Sequence, residues 1–252
     1  MRPDELEDRM RRLECFHAIK CPPGSWVILR LDGRGFSRFT EAHCEKPFDR
    51  LFHEWMVSTT QAVFEEFSGL YAYTESDEIS ILFPGEWELF DREIEKLLSL
   101  SAGLASATFA ISCGAVASFD ARIILAATDD QVIDYFRWRQ ADATRCALNG
   151  WCYWTIRKAG QSVQQATKAL DGASVGDKNE MLFQHGINFN NVPLWQRRGC
   201  ALYWEEYAHQ GHNPILNQPV MTTRRRIKVD RELPMSDEYT TFMQGFVTAS
   251  AV

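Results

Sequence analysis

Leu70-Tyr71-Ala72-Tyr73-Thr74-Glu75-Ser76-Asp77-Glu78-Ile79-Ser80-Ile81-Leu82-Phe83 decides the fold. Residues 70–74 and 79–83 are short apolar runs rich in β-formers, joined by four polar residues, so they read as a hairpin. Upstream, residues 47–66 carry Phe48, Leu51, Phe52, Trp55 and Val63 at helical spacing, with Pro47 suited to the first helical position. Before them, residues 25–31 form a strand-length apolar run that enters the turn signal Asp32-Gly33-Arg34-Gly35. Downstream, residues 86–106 read as a helix and residues 107–119 as a strand. The order strand, helix, strand, strand, helix, strand is the ferredoxin-like βαββαβ unit, an α+β fold with an antiparallel sheet and helices on one face.

Outside that unit, residues 3–19 suggest a charged amphipathic helix and residues 129–158 a long helix stopped by Gly160. Two shorter helices fit residues 161–184, broken near Asp171-Gly172, and residues 200–207 and 220–229 fit strands. The last 15 or so residues carry little pattern. These elements make a helical and β-hairpin C-terminal extension. No linker divides the chain, so residues 1–252 are expected to form one unit with a core at about 20–125 and an extension at about 126–252.

With 45% hydrophobic and 24% charged residues, the 252-residue chain has globular composition, which excludes disorder for most of it. The charged N-terminal stretch and the absence of a long apolar run set the expectation of no membrane association and a cytoplasmic location. Seven cysteines without a Cys-x-x-Cys pair indicate neither a disulfide framework nor a zinc site. Residues 1–130 hold 13 Lys/Arg against 23 Asp/Glu, whereas residues 131–252 hold 14 against 11. The basic half includes Arg197-Arg198 and Arg224-Arg225-Arg226, which read either as a solvated face or as an anion-binding patch.

In a ferredoxin-like sheet the first strand neighbours the hairpin. Asp32 and Asp77-Glu78, some 45 residues apart in sequence, should therefore converge. Two carboxylates about 4 Å apart repel by roughly 4 kcal/mol at an effective dielectric near 20. Such a pair calls for a shared proton or a cation, and an all-oxygen donor set favours Mg²⁺ over zinc. Gly33 leaves its carbonyl free to approach the same ion. Taken singly, Asp-Gly is also an ordinary turn dipeptide, and an acidic hairpin tip an ordinary surface feature. Gly33-x-Gly35 is neither a Walker loop nor a complete dinucleotide fingerprint. Arg34, Arg38 and Lys46 flank the first acidic turn as phosphate-binding candidates, with Arg122, Arg139 and Lys178 further away.

At these residues the chain resembles the histidine-tRNA guanylyltransferase family. Leu31-Asp32-Gly33-Arg34-Gly35-Phe36-Ser37-Arg38-Phe39 with Lys46-Pro47-Phe48-Asp49 is similar to its first signature, and Tyr73-Thr74-Glu75-Ser76-Asp77-Glu78-Ile79-Ser80 to its second. Further similar blocks are Phe119-Asp120-Ala121-Arg122, Trp138-Arg139-Gln140-Ala141-Asp142, Asp177-Lys178-Asn179-Glu180 and Gly186-Ile187-Asn188-Phe189-Asn190. The resemblance implies a polymerase-palm-like core and an enzyme that adds nucleotides to a tRNA 5′ end in the 3′-to-5′ direction. A 5′ phosphate is activated by ATP, and the 3′-hydroxyl of GTP then attacks it.

By the same resemblance, Asp32, the Gly33 carbonyl and Asp77 would hold two Mg²⁺ ions, with Glu78 supporting the acidic catalytic cluster. Asp32, Gly33, Arg34, Gly35, Phe36, Ser37, Lys46, Ser76 and Asp77 would contact the nucleotide. Arg122, Arg139, Lys178 and Asn179 would meet triphosphate or the tRNA 5′ end. Arg197, Arg198, Arg224, Arg225 and Arg226 would contact tRNA, and the assembly would be a homo-oligomer, a tetramer in the family's manner.

Where eukaryotic members carry His-Ile-Asn-Asn, this chain reads Ala143-Thr144-Arg145-Cys146-Ala147-Leu148-Asn149, which looks like the bacterial and archaeal branch that repairs 5′-truncated tRNAs. It also has Thr74-Glu75 where the family commonly has Gly-Gln. A nucleotide cyclase on the same scaffold and a non-catalytic tRNA-binding protein are the competing functions.

Overall fold

A computed structural model describes residues 3–213 and 217–249. Its sheet has six strands in the order β4-β1-β3-β2-β5-β6, every pair antiparallel. They are β1 (Trp26–Gly33), β2 (Tyr71–Glu75), β3 (Glu78–Leu82), β4 (Phe119–Ala126), β5 (Cys200–Asn213) and β6 (Gln218–Asp230). The first four strands keep the expected βαββαβ order, and β5 and β6 extend the sheet past the β2 edge.

Strand alternation divides the apolar residues between two layers. Leu29, Leu31, Ala72, Ile79 and Ile81 face α3 (Arg50–Glu66) and α4 (Ile94–Cys113) in one buried cluster. Ile28, Tyr71, Tyr73 and Leu82 face α5 (Asp129–Lys158) and α9 (Ser236–Ala249) in another. Helices thus cover both faces of the sheet, not one. The second cover comes from the extension, where α9 sets Tyr239, Met243 and Val247 one turn apart against Tyr71 and its neighbours. That stretch has a readable helical period which the weak-pattern expectation overlooked.

Several boundaries also differ from expectation: the helix expected from residue 86 starts only at Ile94, and the strand expected to end at 207 runs to 213. Residues 107–113 continue α4, because an Ala/Ser/Thr-rich stretch alternates as readily in a helix as in a strand. Phe109 there is fully buried and packs on Phe36 at 4.9 Å. Gly114 ends the helix with φ of 70°, so the strand begins only at Phe119. The helix expected from residue 47 starts at Arg50, since Asp49 is its cap and accepts the Phe52 amide at 2.9 Å. Residues after the Asp32 turn form α2 (Phe36–His43), and the N-terminal helix α1 stops at Arg11.

By length and composition α4 is apolar enough to cross a membrane, yet its Leu97, Ser101, Ala105 and Phe109 pack into the protein core. The remaining helices are α6 (Val163–Leu170), α7 (Val175–Gln184) and the short α8 (Leu194–Arg198). Capping boxes at Ser162/Gln165 and Ser174/Asp177 start α6 and α7.

Candidate functional site

The β2–β3 hairpin is tighter than its four polar residues suggest. Glu75 pairs with Glu78, leaving Ser76 and Asp77 as the turn, with Ser76 at φ of 48°. On the neighbouring strand Asp32 lies opposite Glu78, and the Gly33 amide donates to the Asp77 carbonyl at 3.0 Å. The two acidic corners therefore meet. Gly33 admits no side chain, because a Cβ there would lie 2.5 Å from the Phe36 ring.

Register brings more acids together than the sequence reading named. Asp120, Asp32, Glu78 and Glu75 stand in one row across β4, β1, β3 and β2, on the face covered by α5. Like charges opposite one another on a sheet are destabilising. The structure answers with guanidinium groups. Arg122 pairs with Asp120 at 3.0 Å, and Arg30 with Glu78 and, at 3.5 Å, with Asp32. Arg139 reaches Glu78 at 2.6 Å, Asp142 at 2.9 Å and Glu75 at 3.1 Å, and lies 4.3 Å over the Trp138 ring.

Asp77 stands apart from this compensation. It makes no ion pair among the described residues, and its hydroxyl partner is Ser76 at 3.1 Å. Burial holds its carboxyl above the usual carboxylate range, and the negative Asp32 adds to that. A divalent cation between Asp32 and Asp77 would relieve both effects. Among the described residues no cage of three or more His, Cys, Asp or Glu side chains is preassembled. Two carboxylates and a backbone carbonyl nevertheless fit Mg²⁺, which takes one or two carboxylates and completes its shell with phosphate oxygens and water.

Asp77 opens onto a cavity of about 310 Å³ shared with Ser76, Ser37, Lys46, Tyr153 and Trp154. Lys46 lines it, donating to Thr40 at 2.6 Å and lying 5.5 Å over the Trp154 ring. Burial lowers its ammonium pKa, with nearby Cys44, Glu41 and Asp77 opposing that shift. Through Lys46 and Ser76 this space adjoins a second cavity of about 220 Å³. Together the two fall within the roughly 300–1,000 Å³ of small-molecule sites.

The other expected site residues divide. Ser37, Lys46, Ser76 and Asp77 line the first cavity, and Arg34 and Gly35 are exposed on the loop before α2. Phe36 touches the cavity only from the aromatic core, where it packs on Phe52, Phe109 and Phe119. Glu78 is buried in its guanidinium pairs and lines neither cavity.

Arg139 is 4% exposed at its side chain and ion-paired with three carboxylates, so it braces the acidic hairpin. Arg197 and Arg198 are likewise engaged, donating to the carbonyls of Val192 and Asn190 and of Leu233. Lys178 and Asn179 lie on α7 against Cys152, with no hydrogen bond or ion pair to the acidic corners among the described residues.

Arg224, Arg225 and Arg226 are exposed along β6. Arg225 lies 4.6 Å over Trp204, and Arg226 lies 5.0 Å over Tyr207 while pairing with Glu205 at 2.7 Å. Sequence reasoning missed Arg30, Asp120, Tyr153 and Trp154. The strand period could have found Arg30, two residues before Asp32 on the same face.

Residues 7–127 match the family described as tRNAHis guanylyltransferase, and residues 130–241 match the Thg1 C terminal domain. The chain is 32% identical over 226 residues to the tRNA(His) guanylyltransferase of Debaryomyces hansenii, covering 83% of this chain and 85% of that protein. It is 35% identical over 192 residues to a probable tRNA(His) guanylyltransferase of Drosophila melanogaster, covering 71% and 67%. Against tRNA(His) guanylyltransferase 2 of Arabidopsis thaliana it is 35% identical over 72% of its own length, but spans only 36% of that relative.

Among solved structures, a bacterial tRNA(His) guanylyltransferase (Thg1)-like protein in complex with ATP superposes with a TM-score of 0.78 at 29% identity, covering 96% of this chain and 98% of that one. A bacterial Thg1-like protein in complex with GTP gives 0.72 at 28% identity over 96% and 99%. The chain belongs to the tRNAHis guanylyltransferase family, whose members are nucleotidyltransferases.

Proposed function

We propose that this protein adds nucleotides to the 5′ end of tRNA in the 3′-to-5′ direction, after activation of the 5′ phosphate by a nucleoside triphosphate. The observation that carries the reading is the meeting of Asp32, Gly33 and Asp77 beside a cavity walled by Lys46. Two Mg²⁺ ions held by Asp32, the Gly33 carbonyl and Asp77 would supply charge neutralisation and activate the attacking oxygen.

The chain's own groups do the rest by positioning. Lys46 sets a positive charge against the phosphates, and the Ser37 and Ser76 hydroxyls donate to phosphate oxygens. Arg30 and Arg139 hold the Asp32 strand and the Asp77 hairpin in register. The exposed Arg224, Arg225 and Arg226, interleaved with Trp204 and Tyr207, suit an RNA backbone. Arg122, Lys178 and Asn179 remain candidates for the RNA end.

Ala143-Thr144-Arg145-Cys146, in place of His-Ile-Asn-Asn, favours repair of 5′-truncated tRNAs over exclusive use of histidine tRNA. A cytoplasmic tetramer is the assembly and location that go with this reading. The test is incubation with Mg²⁺, ATP, labelled GTP and a tRNA lacking its first 5′ nucleotide. Label in full-length tRNA supports the reading, and label in a cyclic nucleotide without RNA would replace it with the cyclase.

A further inference from the structure

Trp154 lines the cavity at Asp77 and also a further one, of about 310 Å³, which the reaction as described leaves unused. Trp151, Trp154, Thr155 and Lys158 enter this further cavity from α5, at a spacing that puts them on one helical face. His185 and Ile187, just past α7, complete the lining used here. Neighbours fix both indoles. Trp151 donates its Nε1–H to Gln196 at 3.2 Å, and Tyr153 meets Trp154 edge-on at 5.3 Å.

Charge sets this cavity apart. No carboxylate lines it, whereas Glu41 and Asp77 line the cavity at Asp77, and Glu45, Asp49 and Glu75 line the one beyond Ser76. Lys158 is exposed and donates to the Lys46 carbonyl at 2.6 Å. That bond ties the further cavity's cation to the backbone of the residue whose ammonium lines the cavity at Asp77. Indoles beside a cation, with no acid among them, meet both needs of an unpaired nucleotide: a π-face for the base and a positive charge for the phosphate. The volume is at the lower end for a small-molecule site, which suits a single base.

We propose that this cavity binds an unpaired nucleotide of the RNA strand opposite the reacting 5′ end, with its base on the indoles of Trp151 and Trp154 and its phosphate at Lys158. The inference rests on the proposed function above. A tRNA that has lost its first 5′ nucleotide leaves the opposite strand unpaired beside the point of reaction. Unpaired bases offer their faces, which bases stacked inside a stem do not. With the reacting end at Asp77 that strand runs alongside it, and the cavity that shares Trp154 adjoins its path. Stacking reads a π-face and not a base edge, so the site tolerates any base.

The test is equilibrium binding of the full chain to a tRNA lacking its first 5′ nucleotide, with the 3′ strand either intact or trimmed flush with the shortened 5′ end. The wild type should bind the intact RNA about fivefold or more tighter than the trimmed one. In Trp151→Leu and in Lys158→Gln that gain should shrink, while affinity for the trimmed RNA stays as in wild type. In the wild type, 5-iodouridine placed in the unpaired strand should photocross-link to Trp151 or Trp154, as located by mass spectrometry.

Equal wild-type binding of the two RNAs, an undiminished gain in both variants, an equal loss on both RNAs, or cross-links confined to other residues overturns the site and leaves the proposed function standing. Failure of the wild type to bind either RNA overturns the tRNA reading itself. The cross-link needs no substitution, so it decides the matter even where W151L does not fold.

Discussion

Replacing Arg139 with Met tests the brace under the acidic hairpin. The guanidinium is 4% exposed and lies 2.6 Å from Glu78, 2.9 Å from Asp142 and 3.1 Å from Glu75. Methionine keeps much of the volume and the contact with Trp138 but removes the charge. Among the described residues Glu75 then has no ion pair, and Glu78 keeps Arg30 alone, while both side chains stay 10% exposed. Breaking a buried pair from one side costs about 3–5 kcal/mol. At roughly 2–4 °C per kcal/mol for a chain of this size, the melting temperature should fall by about 6–20 °C.

Glu75 is already pushed up to about 8, chiefly by burial and next by the charge of Glu78, with Arg139 opposing both. Removing Arg139 should drive proton uptake there, which softens the loss toward its lower end. Thermal and urea melts of R139M, R139K and R139M with E75Q and E78Q provide the measurement. Lysine should recover part of the loss, since it keeps charge but not the planar fork. The triple variant should recover more, because replacing both sides of a buried pair is far milder than orphaning one. An R139M melt within about 1 °C of wild type would refute the reasoning.

Asp77→Ala should cut nucleotide incorporation by more than about 100-fold in single-turnover assays and leave tRNA affinity largely intact; near-normal turnover would remove Asp77 from the ion site. Replacing Arg224, Arg225 and Arg226 together by Ala should flatten the salt dependence of tRNA binding by roughly 2–3 units of log–log slope, and an unchanged slope would move the RNA surface elsewhere. His53 is held down to about 4 by burial, with Arg231 and Arg50 adding to it. Between pH 6.5 and 4 the unfolded chain binds the proton that the folded one excludes. Stability should therefore fall by about 3 kcal/mol as pH drops through that window, and His53→Phe should flatten this part of a melt-versus-pH curve.

The sequence made the acidic site legible because its signals are local: an apolar run ending at Asp32, a hairpin around Asp77, and a topology that brings strand and turn together. What it concealed depends on contacts across the fold. Arg139 looks like a free cation in a basic half, and only register against Glu75 and Glu78 shows that its charge is already engaged. Residues 107–113 look like a strand because Ala, Ser and Thr fit either period; burial of Phe109 among five aromatic side chains settles the helix. The last helix was legible in principle, with Tyr239, Met243 and Val247 four apart, but its function as a lid on the sheet's second face appears only when Tyr239 meets Tyr71 at 2.9 Å.

The most direct test of the shared ion site is anomalous diffraction from crystals grown with Mn²⁺ and GTP. Manganese peaks within roughly 2.0–2.6 Å of carboxylate oxygens of both Asp32 and Asp77, bridged to the triphosphate, are the predicted outcome. Peaks that touch neither residue, with GTP bound, would contradict it.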